Sequence, residues 1–513
     1  MLRRLPLIYF VVLPPVNLTH RISFFHNRNL VTLGYLAVVS VFISWILLPF
    51  GPGITNDSLL YLECGDHLFS KNGFTVIGHD GELAFAADRF PVYPVLLKLL
   101  SFCGIQPILF QLLLFILFSF LLLRVLVAFS LSGSRLLVTA IALISLLFPF
   151  VLVYYNLWTE GLYLVLFLLT VLLFYSGKNR SLLMLLILLS LTRMVGLTVG
   201  IAIALVWIVN KEYAKAASAF FASILPVVAW YFAGFLLGAE NSRHFSIHWI
   251  ASFTLNQFFE TTGSLISSDS TVQTMLGIII SLLPAFIAFR HFLSGKKIMD
   301  KTLLFLIILF YVYPLFLFFS ISFLDYSTPM DYRILAPQFL VMLLILSKVM
   351  LKKNSKPLII AVPLMLLSGL SFFLHAEDYD NLHKNGYGYH SKESQHFTFV
   401  SVIKNLPKNF RWYSNTVHGV YHIAGKNSHE LPLKFDIHDN TTNKNYETAW
   451  HQLLHEFNDT TAIIVWIRSG ATEKSFITYE ELKNTEGFHV MYDDWLCLVM
   501  SSHENLSLKN SGD

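Results

Sequence analysis

Uninterrupted apolar stretches of about 20 residues recur along this 513-residue chain, each long enough to cross a bilayer as a helix. Val31 to Phe50, Pro107 to Val127, Leu303 to Ser322 and Ile334 to Met350 are clear cases, and they define a multi-pass membrane protein. Only 13% of residues are charged, against about 25% in soluble domains, which excludes a soluble protein. The net charge of +4, with no Lys/Arg cluster interleaved with aromatics, gives no reason to expect nucleic acid as a partner. Cys64, Cys103 and Cys497 lack CxxC spacing, which argues against a zinc site or a disulfide framework. A bridge between Cys64 and Cys103 requires both to face an oxidising compartment.

Lysine and arginine mark cytoplasmic loops. Short basic segments stand at Arg3, Arg4, Arg21 and Arg28; at Arg124 and Arg135; at Lys178 and Arg180; at Lys211 and Lys215; at Arg290, Lys296, Lys297 and Lys301; and at Lys348, Lys352, Lys353 and Lys356. The hydrophilic segments between them, 51–91, 152–160, 239–272 and 323–333, carry only Lys71, Arg89, Arg243 and Arg333, and read as external. As a single helix, Ser181 to Val209 would run about 43 Å with Arg193 near its middle. Placing that arginine at the bilayer centre costs roughly 2.5–3.5 kcal/mol. Two short helices with Arg193 at an external tip avoid this cost and keep the flanking lysines on one side. The expectation is an all-α polytopic bundle of about eleven spans, N-terminus inside and C-terminus outside. Residues 1–30 read as a cytoplasmic or interfacial lead-in, because Leu5 to Val16 is broken by Pro6, Pro14 and Pro15 and carries no cleavage site.

The membrane part covers 31–374, with its first external loop at 51–91. From His375 to Asp513 the composition turns acidic and the apolar runs shorten to strand length. Phe410 to Ser414 and Thr461 to Arg468 predict strands, Val417 to Ala424 and Tyr446 to Glu456 predict helices, and His489 to Tyr492 with Trp495 to Met500 predicts a hairpin. This alternation predicts a small external α/β domain with a disordered polar end.

The outer loops collect the unusual residues. In NDSLLYLECGDHLF, helical spacing puts Asp57, Tyr61 and Cys64 on one face. Asn56 or Asp57 could simply cap that helix; alternatively Asp57 is a carboxylate held at the mouth of a cavity. Glu160, in NLWTEGLY, could be a dipole-favoured residue at a helix start, or an acidic group facing a cavity at membrane depth. Arg89, Arg193 and Arg333 could each anchor a helix end by snorkelling. Together with two carboxylates they form a site suited to an anionic lipid-linked substrate, because the planar guanidinium binds phosphate bidentately and stays charged. His418 and His422, at i and i+4, have metal-ligand spacing but no evident third ligand, so a surface helix pair is the simpler reading.

Five segments are similar to motifs of the GT-C class of integral membrane glycosyltransferases: NDSLLY with Asp57, RFPVYPVLLKLL with Arg89 and Tyr93, TEGLY with Glu160, LTRMVGL with Arg193, and MDYRILAP with Tyr332 and Arg333. The chain resembles in particular the bacterial relatives of the protein O-mannosyltransferases and of the lipid A aminoarabinose transferase. It departs from them in having one acidic residue rather than an Asp-Glu pair in the first motif, and Gly161 and Met194 in place of prolines. The resemblance implies a GT-C-like bundle that transfers a sugar from a polyprenyl-phosphate donor to a glycolipid, glycan or protein. It implies Asp57 and Glu160 as the catalytic pair and Tyr61, Arg89, Tyr93, Arg193, Tyr332 and Arg333 as substrate-binding residues. Asp57 is the expected base; Glu160 would orient the acceptor or hold a divalent cation. Membrane lipids are the surroundings, and a bacterial inner membrane with a periplasmic active site is the expected location. The competing readings are a polysaccharide polymerase or ligase using polyprenyl-linked substrates, and a transporter. The polymerase class concentrates its arginines in a late loop, and a transporter calls for midplane charges or repeated broken helices.

Overall fold

The computed structural model describes residues 22–130, 142–239, 247, 249, 252–294, 299–351, 366, 368–396, 398–459, 461–468 and 475–503. The lead-in up to residue 21, most of the expected last span before 374 and the polar end from 504 lie outside these. The bundle contains α1 (Ile22–Leu47), α2 (Asn56–Leu68), α3 (Val92–Phe102), α4 (Pro107–Phe129), α5 (Phe148–Tyr155), α6 (Thr159–Tyr175), α7 (Asn179–Ser190), α8 (Leu197–Val209), α9 (Tyr213–Leu236), α10 (Ser252–Gly263), α11 (Ser270–Leu293), α12 (Lys301–Phe323) and α13 (Tyr332–Met350). Six helices among the described residues are long and apolar enough to cross a membrane: the Leu30–Leu47 part of α1, then α4, α9, α11, α12 and α13. Other expected spans appear as the shorter apolar helices α6, α7 and α8, and α3 is a further short apolar helix.

Burial sorts these helices. α6 is enclosed, with Leu164, Phe167, Leu168 and Val171 essentially inaccessible. α11 instead exposes Ile278, Ile279, Leu282, Phe286 and Phe289, an apolar surface that water would not tolerate and lipid would. The 181–209 segment is broken as expected: α7 ends at Ser190, Arg193 is extended (φ −152°, ψ 141°), and a 3₁₀ turn over Met194–Gly196 leads into α8. The 239–272 segment, expected as a loop, holds α10.

The 51–91 loop is folded. It contains α2 and a hairpin of β1 (Thr75–Ile77) and β2 (Leu83–Phe85). The tail adds α14 (Ala376–Asn385), α15 (Lys392–His396), α16 (Thr398–Asn405), β3 (Arg411–Ser414), α17 (Val417–Ala424), β4 (His429–Glu430), β5 (Phe435–Asp436), β6 (Thr441–Thr442), α18 (Tyr446–Asp459), β7 (Ala462–Ile467), α19 (Tyr479–Lys483), β8 (His489–Asp493) and β9 (Cys497–Ser501). The main sheet runs β4-β3-β7-β9-β8, parallel on the β4-β3-β7 side and antiparallel across β7-β9-β8. The β8–β9 turn falls slightly later than the sequence suggests, because Asp494 Oδ1 accepts from the backbone N–H of Leu496 (2.8 Å) and Cys497 (2.6 Å), a local turn that delays β9. Cys64 is buried and Cys103 exposed, both as free thiols.

Candidate active site

Backbone bonds, more than side chains, bring the NDSLLY and TEGLY motifs together. Gly53 N–H donates to Tyr155 O, and Leu157 N–H donates back to Gly53 O, each at 3.0 Å. A few residues beyond this bridge, α2 and α6 begin, so Asp57 and Glu160 both lie in first helical turns on the same side of the bundle. The tail joins the bridge: Tyr389 N–H donates to Ile54 O at 2.8 Å. At Gly388 (φ +62°) a Cβ would lie 2.0 Å from Ile54 O, so this approach requires glycine. The cap of α2 is Thr55, so neither Asn56 nor Asp57 serves as that cap. Thr55 Oγ1 also accepts from Trp158 Nε1 at 2.9 Å, which ties the two helix starts once more.

Arg333 connects the carboxylates. It stands in the first turn of α13, where Asp331 caps the helix by accepting from Ile334 N–H at 3.0 Å. Its Nη2 donates to Asp57 Oδ2 at 2.6 Å and its Nε to Glu160 Oε1 at 2.5 Å, while its guanidinium lies 4.5 Å from the Trp158 ring centroid. Arg193 pairs with the same Glu160 oxygen and donates to Thr159 Oγ1 at 3.1 Å. Arg89 completes the cluster, with Nη2 3.3 Å from Asp57 Oδ1 and Nη1 3.0 Å from Asp88 Oδ2. The Nε of Arg89 is buried with no hydrogen-bond partner.

Three carboxylates thus face three guanidiniums, and their burial differs. Glu160 is 1% exposed, whereas 31% of the Asp57 side chain is accessible. A buried carboxylate persists only with close countercharges, and two guanidiniums supply them to Glu160. Two cations on one carboxylate oxygen repel a third, so the surroundings of Glu160 do not suit a divalent metal. Among the described residues no group of three potential metal ligands occurs. The cluster opens into a cavity of about 300 Å³ lined by Asp57, Tyr61, Asp88, Arg89, Thr159, Arg193 and Arg333, with Phe90, Met194, Phe316 and Leu317 as apolar wall.

No protein-family model and no curated protein matches the sequence. Solved structures do match over nearly its whole length. ArnT from Cupriavidus metallidurans bound to undecaprenyl phosphate aligns at TM-score 0.57 over 93% of this chain and 98% of its own, with 12% identity. The same protein in its apo state aligns at TM-score 0.57 over 94% and 99%, with 14% identity. The fold is that of ArnT, a GT-C glycosyltransferase. The ArnT likeness takes in the tail as well as the helices, since so little of either chain is left unmatched.

Within this ArnT-like frame, Asp57, Tyr61, Arg89, Arg193 and Arg333 line the cavity and Glu160 sits directly behind it. The other two tyrosines lie elsewhere. Tyr93 is fully buried behind Tyr61, its ring 5.4 Å away edge-on and its hydroxyl accepting from Gln111 Nε2 at 3.2 Å. Tyr332 turns to His375, 3.5 Å from hydroxyl to Nε2, and packs edge-on against Phe148. His418 is 2.9 Å from Glu63 Oε2, and His422 packs against Tyr389. Asp88, Asp325, Ser327 and His438 also line the cavity. Sequence reasoning did not single them out, although Asp88 directly precedes Arg89.

Proposed function

We propose that this chain is an integral membrane glycosyltransferase that moves a sugar from a polyprenyl-phosphate-linked donor to a glycolipid, glycan or protein acceptor. The reaction takes place at the outer face of the membrane and inverts the anomeric centre. The observation that carries this reading is the convergence of Asp57, Glu160, Arg89, Arg193 and Arg333 from separate segments onto one cavity. It is supported by the fold shared with ArnT, which has been solved with undecaprenyl phosphate bound. In the proposed topology the basic loops are cytoplasmic, about eleven spans cross the bilayer, and residues 375–513 form a separate domain on the periplasmic side of a bacterial inner membrane.

The two carboxylates divide the work according to burial. Glu160, enclosed and doubly paired, fixes Arg193 and Arg333 in place. Asp57, partly accessible, is the base that takes the acceptor's proton. The cluster is neutral as it stands, so a donor phosphate is admitted by exchange: Arg89 turns from Asp57 to the phosphate oxygens, which frees Asp57 Oδ1 to accept a proton, while Arg193 and Arg333 stay held by Glu160. The attacking oxygen bonds to the anomeric carbon, and the carbon–oxygen bond to phosphate breaks with its electron pair leaving on the phosphate. That added negative charge is met by guanidiniums already in place. Direct displacement by one base predicts inversion.

The test is incubation of the protein in sealed vesicles with radiolabelled polyprenyl-phosphate sugar and an envelope extract as acceptor. Label transferred to the extract supports the reading. Label accumulating inside vesicles without transfer would make the protein a transporter.

A further inference from the structure

The cavity has a second end with different chemistry. Asp325, just beyond α12, is 4% exposed, and its Oδ1 accepts from Ser327 Oγ (2.6 Å) and Ser327 N–H (3.1 Å). His438, from the tail, places Nδ1 2.9 Å from the same oxygen and 3.1 Å from Ser327 Oγ. The histidine is held in register by its backbone: Tyr326 N–H donates to His438 O at 2.9 Å, and His438 N–H donates to Asp436 Oδ1 at 2.8 Å. Asp325, Ser327 and His438 line the same cavity as Asp57 and Arg333. A carboxylate at Nδ1 fixes the imidazole's tautomer and orientation, as in the pairs that aim a histidine at a substrate.

Two other histidine–carboxylate pairs join the tail to the first loop. His418 meets Glu63 at 2.9 Å, and His79 pairs with Glu430. None of these four residues lines the cavity. If holding the tail down were the whole purpose, nothing would require a third such pair to open onto the substrate space. The arginine end suits a phosphate. The Asp325 end offers a carboxylate, hydroxyls and an imidazole beside Phe316 and Leu317, a combination suited to hydroxyl groups.

We propose that His438, oriented by Asp325, is an acceptor-positioning residue supplied by the tail: it holds a hydroxyl of a hydroxyl-rich acceptor so that the attacking oxygen lies beside Asp57. The proposal rests on the glycosyltransferase reading. His438 takes part in no bond-making, and the transferred proton goes to Asp57.

The test compares His438→Asn with His418→Asn in the full-length protein, using radiolabelled polyprenyl-phosphate sugar and a detergent extract of the host envelope as acceptor. Asparagine at 438 retains a side-chain N–H for Asp325, so the tail stays docked, and an unchanged melting temperature verifies this. The expected result is a rise of about tenfold in the extract concentration giving half-maximal rate, the worth of one hydrogen bond, with donor KM and maximal rate unchanged. His418→Asn should change none of these. Equal effects of the two variants, a shift in donor KM instead, or no shift with His438→Asn would overturn the proposal. Absence of transfer by the wild-type protein would overturn the glycosyltransferase reading and this proposal with it, an outcome distinct from an active wild type with an indifferent His438 variant.

Discussion

The two ends of the helical bundle use charge in opposite ways. Helices α6, α8, α12 and α13 each have a cavity-associated residue at or beside one end (Glu160, Arg193, Asp325 and Arg333) and a lysine at or beside the other (Lys178, Lys211, Lys301 and Lys348). At the cavity end, acids and bases interlock and are withdrawn from solvent. At the lysine end, Lys215 and Lys301 are about half exposed and share the half-buried Glu212, whereas Lys348 is mostly covered, resting on the Phe129 and Tyr175 rings 3.6 Å from Asp300. Solvated cations at helix ends are a topology signal and are individually replaceable. Buried opposed charges hold a geometry, and losing one partner strands the other.

The largest expected effect is at Asp57. Asp57→Asn removes the base and should lower transfer by about 10²–10⁴-fold with donor binding retained; full activity in a radiolabel assay would remove Asp57 from the mechanism. Next comes an exchange of cation type at both ends. Arg333→Lys keeps the charge but cannot reach Asp57 and Glu160 together as the fork does, so transfer should fall by about 10²-fold. Lys301→Arg, at a half-exposed lysine, should leave the rate unchanged, and equal losses at both positions would erase the contrast between the ends. Glu160→Gln should lower stability by about 3–5 kcal/mol in denaturation of the detergent-solubilised protein, because it leaves Arg193 without a carboxylate and Arg333 with Asp57 alone in a largely buried site. Asp57→Asn, at a partly accessible site, should lower it far less.

The smallest effect lies in the tail. Lys434 and the Thr478 backbone hold the Glu481 carboxyl at about 2, below its ordinary 4.5. A carboxylate depressed on folding stabilises the folded state above its unfolded value, and that contribution disappears as pH falls from 4.5 through 2. Glu481 is half exposed, so solvent screens the pairing, and Glu481→Gln should cost under about 1 kcal/mol at pH 7. The mutant and wild-type melting curves should converge below pH 2.

Much of the bundle end was legible because its charges interrupt long apolar runs at helix starts, where a single Asp57, Glu160 or Arg333 stands out. Motif adjacency alone does not say which way Tyr332 and Tyr93 point. Successive helical residues point about 100° apart, so Tyr332 faces Phe148 and His375 while Arg333 faces the cavity. In the tail, β7 was readable from its continuous apolar run and β3 from its adjacent aromatics, whereas β4, only two residues long, has no pattern to read. His438 and Asp325, 113 residues apart, meet only through the tertiary fold. No local spacing announces either.

In the proposed mechanism the three-arginine end of the cavity receives the phosphate of a lipid carrier. A structure of the protein with undecaprenyl phosphate bound tests it most directly. The phosphate is expected within hydrogen-bonding distance of Arg333 and Arg89 or Arg193, with Arg89 turned away from Asp57. A phosphate bound at the lysine end, with the Asp57–Arg333–Glu160 cluster unchanged, would contradict it.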